Sequence, residues 1–345
     1  MSPQFKPGSE LNREFYREVV APIVGNLPHS ACLLGQGSDV LGLDTEMSMD
    51  HDWGPRLQIL LLDGGAADSV RVLLLKNLPS TYQQFPVFCG LNSDGTTHMD
   101  EAESHRHNIH VSTLSVFFHN LLGIDFEKGP TTADWLAVTQ QSLLEATAPN
   151  IYHDEIGLID FQSKLRYFPH DIWLYILASL WQRIGQEEHL VGRAGLVGDE
   201  LGAKILASRL VRDLMRICFM LERQYIPYPK WFGTLFKRLS CSSQVAPLCE
   251  DVLNSSGWSQ RDAALAQLFE TVAKLQNEQK LCKKLSGEAA HFHGRPFRVI
   301  HLHSPFASAL IEEVKDPEVQ KLAKNLLTGS REILSDNTDF LCSKN

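Results

Sequence analysis

GQGSDVLGLDTEMSMDHDWG, residues 35–54, places a glycine-serine turn ahead of two aspartates that bracket one histidine. The runs on either side read as strands. SACLLG, residues 30–35, is a short apolar run ending in glycine, and PRLQILLLDGG, residues 55–65, is a second one closed by Asp63-Gly64-Gly65. Where MDHDWG opens the second strand, the carboxylates of Asp50 and Asp52 leave one face of the sheet and His51 points to the other. Two ionised carboxylates that close repel, and a cation between them removes that cost; oxygen ligands favour Mg2+ or Mn2+. Gly35, Gly37 and Ser38 offer backbone N–H groups that an anion approaches with no Cβ in the way. A phosphate beside a divalent metal is the expected occupant, and a solvated surface turn is the bland alternative.

Outward from this loop, SELNREFYREVVAPIV sets Leu11, Phe15, Val19 and Ile23 at helical spacing behind a Ser9 cap. ADSVRVLLLKNLP reads as a helix, HNIHVSTL as a strand, SVFFHNLLG as a helix and NIYHDEIG as a last short strand. This alternation predicts a small α/β domain whose sheet is covered on at least one face. Beyond Phe168-Pro169 the apolar period becomes 3.6, with long helices over 169–190, 199–225 and 259–285. Ser259 is the expected N-cap of the last, with Asp262 in the capping box, and Asp316-Pro317 opens one more helix. The reading is an α+β chain with an N-terminal domain over residues 1–165 and an α-helical domain over residues 166–345.

The 345 residues are 43% hydrophobic, enough for a large core. A formal net charge of -9 gives no whole-molecule field that draws in a polynucleotide. Seven scattered cysteines, none in a Cys-x-x-Cys pair, point to reduced thiols. No signal-like N-terminal run or membrane-length apolar stretch is present, so the expectation is a cytoplasmic protein with no membrane partner.

The Gly37-Ser38 turn followed by Asp50-x-Asp52 resembles the nucleotidyltransferase superfamily of DNA polymerase beta type. GQGSDVLGLDTEMSMDHDWGPRL, YFPHDIWLYILASLWQRIGQEE, VGRAGLVGDELGAKILASRLVRDLM and ERQYIPYPKWFGTLFKRL together look like an uncharacterised domain family described as nucleotidyltransferase-like. The plan, a small mixed-sheet domain followed by a helical one, is similar to that of antibiotic nucleotidyltransferases such as the kanamycin enzyme. The resemblance implies that Gly37 and Ser38 hold the triphosphate of a nucleotide, and that Asp50 and Asp52 hold Mg2+ or Mn2+. It implies transfer of a nucleotidyl group, AMP from ATP, to a hydroxyl of a small acceptor. The superfamily's third carboxylate has no counterpart in HNIHVSTL, which offers His110 as a base instead; Asp154 and Asp199 are the other acids considered for that place. Loss of turnover with the pocket retained, a nucleotide-binding regulator or scaffold, is the alternative reading.

Supporting cations come from the second half. In VGRAGLVGDELGAK, glycines surround Arg193, whose planar fork suits a phosphate, while Asp199 suits a helix N-cap. Lys204, Ser208 and Arg212 share a helix face that reads as its wet side. RQYIPYPKWFG gathers Arg223, Tyr225, Tyr228, Lys230 and Trp231, either stacking on a base with Lys230 toward phosphate or stapling two helices. Arg56, Arg193 and Lys230 are thus the candidates for neutralising phosphate charge. HFH and HLH supply His291, His293, His301 and His303 around Arg295 and Arg298, a zinc arrangement without a nearby Cys or carboxylate at ligand spacing. No P-loop, Gly-x-Gly-x-x-Gly, Gly-x-Ser-x-Gly or nucleic-acid module is present, and a tRNA or protein acceptor stays open.

Overall fold

The four-residue apolar repeat that opens the chain survives for only one helical turn. In the computed structural model, which describes residues 4–93, 95–99, 106–300 and 305–328, α1 (Gly8–Phe15) runs into a π-helical turn, Tyr16–Val20, and then a last α-turn, Ala21–Val24. A π turn absorbs one residue beyond the α repeat. The fully buried positions therefore step from Leu11 and Phe15 to Tyr16, Val20 and Val24, leaving Val19 and Ile23 at the core margin. Pro7 rather than Ser9 holds the cap position, with no side-chain cap.

Four strands form the main sheet: β1 (His29–Cys32), β2 (Arg56–Leu61), β3 (Asn108–Thr113) and β4 (Ile151–Asp154), in the order β3-β2-β1-β4. β1 is antiparallel to β2 and β4, and β2 is parallel to β3, so the sheet is mixed. Alternation splits its faces. Ala31, Leu57, Ile59, Leu61, Ile109 and Val111 share a core with Leu11, Phe15 and, from α2 (Ala67–Asn77), Val70 and Leu74. Each fully buried aliphatic or aromatic side chain there contributes about 1.5–3 kcal/mol. The other face carries a more polar row: Ser30, Cys32, Arg56, Gln58, Asn108, His110 and Ser112.

Helix ends in this unit are set by side chains. α3 (Leu114–Leu122) is capped by Thr113, which accepts from the Val116 amide, and it closes on Gly123 at φ 68°. Asp154, at the end of β4, secures α4 (Leu158–Ser163). Its Oδ1 accepts from Ser30 Oγ at 2.6 Å and from the Ile156, Gly157 and Leu158 amides, and its Oδ2 from the Ile159 amide. Burial pushes this carboxyl up, but the donors outweigh it and hold it below its ordinary value.

The chain packs as two units, residues 1–130 with 142–166, and residues 131–141 with 167–345. Residues 131–141, which precede the expected 165/166 boundary, thus belong with the helices. In that second unit α5 (His170–Glu187) is buried on nearly all sides, as a central helix must be. Its Trp173 indole donates to the Met220 carbonyl at 2.9 Å and its Trp181 indole to Gln276 at 3.1 Å. The unit also holds α6 (Leu190–Leu196), α7 (Glu200–Leu221), α8 (Ser242–Asn254), α9 (Trp258–Glu278), α10 (Pro305–Glu312) and α11 (Pro317–Thr328), of which α7, α10 and α11 pack on α5 while α6 and α8 pack on α7 and α9. α11 opens at Pro317 as expected, and Asp316 caps it, accepting from the Glu318 and Val319 amides. The expected Ser259–Asp262 box is not formed. α9 starts at Trp258 after Gly257, and Asp262 instead accepts from the Arg298 amide at 3.0 Å. The fold class is α+β, and no described helix is long and apolar enough to cross a membrane.

Asp154→Ala, which removes all five acceptor bonds at once, is expected to lower stability by about 2–4 kcal/mol in urea unfolding of the full chain. Asp154→Asn, which keeps one acceptor oxygen, is expected to lose less.

Candidate active site

The chain leaving β1 is clamped before it turns. Gln58 accepts from the Leu34 amide at 2.9 Å and donates to the Leu34 carbonyl at 3.0 Å, and Asn150 donates to the Val40 carbonyl at 2.7 Å. Between these clamps lies the turn. Gly37 stands at φ 137°, where a Cβ would fall 2.1 Å from Arg56 Nη2 and 2.3 Å from Asp39 Oδ1. The bare side of this glycine therefore faces an ion pair.

Arg56, the first residue of β2, donates from Nε to Asp39 Oδ2 at 3.0 Å, from Nη2 to Asp39 Oδ1 at 2.6 Å, and from Nη2 to the Gln36 carbonyl at 2.8 Å. The Asp39 side chain is 1% exposed and that of Arg56 14%. Burial works against the Arg56 charge, yet Asp39 and then Asp52 more than restore it, so its pKa is raised. Its Nη1 donates no hydrogen bond to a described residue. Ser38 is half-buried beside this pair, and its carbonyl receives the Leu43 amide.

The aspartate pair does not sit on the strand. Glu46–Asp50 is a short 3-10 helix, Asp52 has φ 46°, and β2 begins only at Arg56. Gly54 at φ 118° and Pro55, which has no amide proton, keep this segment out of the ladder. Asp50 is exposed, its Oδ1 2.8 Å from His51 Nδ1. Asp52 is fixed to the hairpin strand Thr97–Met99, its Oδ1 accepting from the Thr97 amide at 2.8 Å and hydroxyl at 2.9 Å. Both bonds fall on Oδ1, and no described residue donates to Oδ2. Asn108, paired with Arg56 across β2 and β3, donates to the same Thr97 hydroxyl at 3.0 Å. His110 lies two residues on, opposite Gln58, with Phe117 6.2 Å away. Its surroundings hold the imidazole below its ordinary value by desolvation first and the Arg71 charge second.

Gly37 and Ser38 thus lie against Arg56 at the start of β2, Asp52 is linked through Thr97 to Asn108 at the start of β3, and His110 stands two residues further along that strand on the same face. Asp154 is consumed by its cap and is removed from contention as a third acid. Asp199 is the N-cap of α7, accepting from the Gly202 amide at 2.8 Å.

Arg193 and Lys230 belong to the second unit, and both are exposed. The glycines around Arg193 are not a ligand loop. They lie in α6, where a Cβ on Gly192 would fall 2.3 Å from Phe297 Cγ and one on Gly195 2.1 Å from Trp258 Cγ, so they permit close packing. Lys230 lies over its neighbour Trp231, 4.8 Å from the ring. Tyr225 is buried against Tyr167 and Phe168, each 5.2 Å away, which favours the stapling reading over base stacking. His291 bonds the Arg295 carbonyl at 3.0 Å; His301 and His303 lie outside the described residues. Asp39 went unrecognised in the sequence, since nothing local distinguishes it from the other acids of the loop.

Residues 135–232 match the model of a family described as a domain of unknown function, DUF4037. The matched segment takes in β4, Arg193 and Lys230 and starts after the Gly37 turn and the acidic pair. A crystal structure of a nucleotidyltransferase-like protein from Exiguobacterium sibiricum 255-15 is similar at 14% identity, over 83% of this chain and 82% of that one, with a TM-score of 0.33. No curated protein matches the chain.

Asp39→Ala leaves a buried guanidinium without its partner, and a loss of about 3–5 kcal/mol is expected. Asp50→Asn, at an exposed side chain, is expected to stay within about 0.5 kcal/mol of the parent. Thermal and urea melts of the two variants side by side check the contrast.

Proposed function

We propose that the protein transfers a nucleotidyl group, AMP from ATP, to a hydroxyl of a small acceptor at the Gly37–Arg56–Asp52 end of the sheet. The observation that carries this reading is the placement of Arg56. It is locked to Asp39 and the Gln36 carbonyl beside the glycine turn, its charge reinforced by Asp52, with two of its three nitrogens spent on the protein and Nη1 left for a phosphate oxygen. The Asp52 Oδ2 and the exposed Asp50 carboxylate are hard oxygen donors, and these two would hold Mg2+ or Mn2+, which would supply charge neutralisation at the phosphates. Gly37 and Ser38 line the β- and γ-phosphates.

In the reaction the acceptor oxygen bonds to the α-phosphorus, the α–β bridging P–O bond breaks, and pyrophosphate leaves. The acceptor's proton passes to His110, whose lowered pKa keeps it unprotonated and able to accept at neutral pH. A base of depressed pKa stays deprotonated below the usual imidazole range, so turnover should persist to lower pH than an ordinary histidine allows. His110→Ala should cost about 10²–10⁴-fold in rate.

A second reading, a nucleotide-binding regulator that has lost turnover, draws its support from Asp154, which is committed to its cap and gives the site no third acid. Labelled ATP with Mg2+ and a metabolite extract separates the two. Pyrophosphate release that disappears in Asp50→Asn and Asp52→Asn, with unchanged melting of the Asp50 variant, supports the transferase. Mg2+-dependent thermal stabilisation by ATP without release supports the regulator, and neither response overturns both.

A further inference from the structure

Tyr16, His29, His153 and Glu155 meet on the face of the sheet opposite Arg56. Antiparallel pairing sets Ala31 against His153 and Ser30 against Asp154, and the Glu155 amide donates to the His29 carbonyl at 3.1 Å. Residues two apart share a face, so His29, His153 and Glu155 project to the same side, at the edge strand β4. One ligand atom from each of the three lies within 4.8 Å of the other two. Among the described residues this is the one group of three or more His, Cys, Asp or Glu side chains so placed.

The donors are set up for an ion. His29 is 3% exposed, and its Nδ1 stands 2.7 Å from the Leu27 carbonyl. A carbonyl only accepts, so Nδ1 bears the proton and Nε2 the lone pair, the tautomer and backbone tether typical of a metal-ligating histidine. That Nε2 accepts a hydrogen bond from the Tyr16 hydroxyl at 2.9 Å, which an incoming ion would displace. The His29 and His153 rings are 4.7 Å apart, and Tyr16 stacks on His153 at 5.9 Å. A tetrahedral ion with bonds of about 2.0–2.1 Å needs donors roughly 3.3 Å apart. His153 Nε2 and Glu155 Oε2 are already 3.5 Å apart, and their side chains, 33% and 51% exposed, are free to adjust. Tyr16, the first residue of the π-helical turn, supplies the fourth wall. Such turns gather at functional sites.

We propose that His29, His153 and Glu155 form a binding site for a divalent transition ion of the zinc class, with the Tyr16 hydroxyl beside its fourth coordination position. Two imidazoles and one carboxylate suit zinc better than the all-oxygen pair at Asp50 and Asp52 suits it. The site is independent of the proposed nucleotidyl transfer and stands or falls without it.

The full chain, stripped with a chelator and kept reduced, is titrated with Co2+ as a spectroscopic stand-in for zinc and with Zn2+ by calorimetry. One ion per chain is expected, with the visible bands of a tetrahedral nitrogen and oxygen set and no thiolate-to-metal charge-transfer band. His153→Ala and Glu155→Gln, both at partly exposed positions, should each weaken binding by about 100-fold or more and abolish the Zn2+-induced rise in melting temperature. Asp52→Asn should bind as the parent does. Absence of binding by the parent chain, a thiolate band in its place, or undiminished binding by both variants overturns the proposal.

Discussion

The bidentate pairing of Arg56 with Asp39 is the constraint on which the first unit turns. A carboxylate this deeply buried is costly unless its charge is met, and the guanidinium meets it while also holding the Gln36 carbonyl. One ion pair thereby fastens the loop after β1 to the first residue of β2. Gly37 follows from it, since any side chain there would occupy the space of the pair. Gly8 follows as well, because α1 begins so close that a Cβ would fall 2.6 Å from that of Asp39. The Arg56 amide is held by Asn12, buried within the same helix, at 2.7 Å. Loop, strand and first helix are thus registered against one another at a single point.

The crowd of acids in the loop has a divided explanation. Asp39 neutralises Arg56. Asp44 accepts from the Gly8 amide at 2.7 Å, a negative group where the dipole of α1 favours one, and from the Trp53 indole at 3.0 Å. Asp52 ties the loop to Thr97 through one oxygen only. Asp50 projects to solvent with no structural partner among the described residues beyond its neighbour His51, and Glu46 is exposed beside it in the same short helix. Acids with architectural duties surround two that retain an oxygen for something else, and the proposed chemistry rests on that remainder.

Much of this was legible beforehand. The strands around the loop are short apolar runs ended by glycine or aspartate, and the second unit's helices carry a 3.6-residue period, so β1, β2, β3, β4 and the long α5, α7 and α9 fall close to where they were expected. Contacts distant in sequence were not legible. The Asp50–Asp52 pair reads as alternating strand residues, but the backbone of Asp52, Gly54 and Pro55 departs from the ladder, and β2 starts later. Asp262 fits a local capping box, yet a strand residue far along the chain, Arg298, claims it. Gly192 and Gly195 look like a flexible loop because composition does not reveal that Phe297 and Trp258 need their surface. His29 and His153 are unremarkable until antiparallel pairing sets β1 beside β4.

The surplus residue in the first helix also makes that segment lopsided in what lengths it accepts. Losing one residue between Tyr16 and Val20 would let the backbone relax to an unbroken α-helix, and the positions beyond would fall back on the spacing of Leu11 and Phe15. Gaining one would lengthen a bulge that already exceeds the regular winding. Natural variants of this chain should therefore show shortening here more readily than extension, and a shortened form would keep its apolar seam.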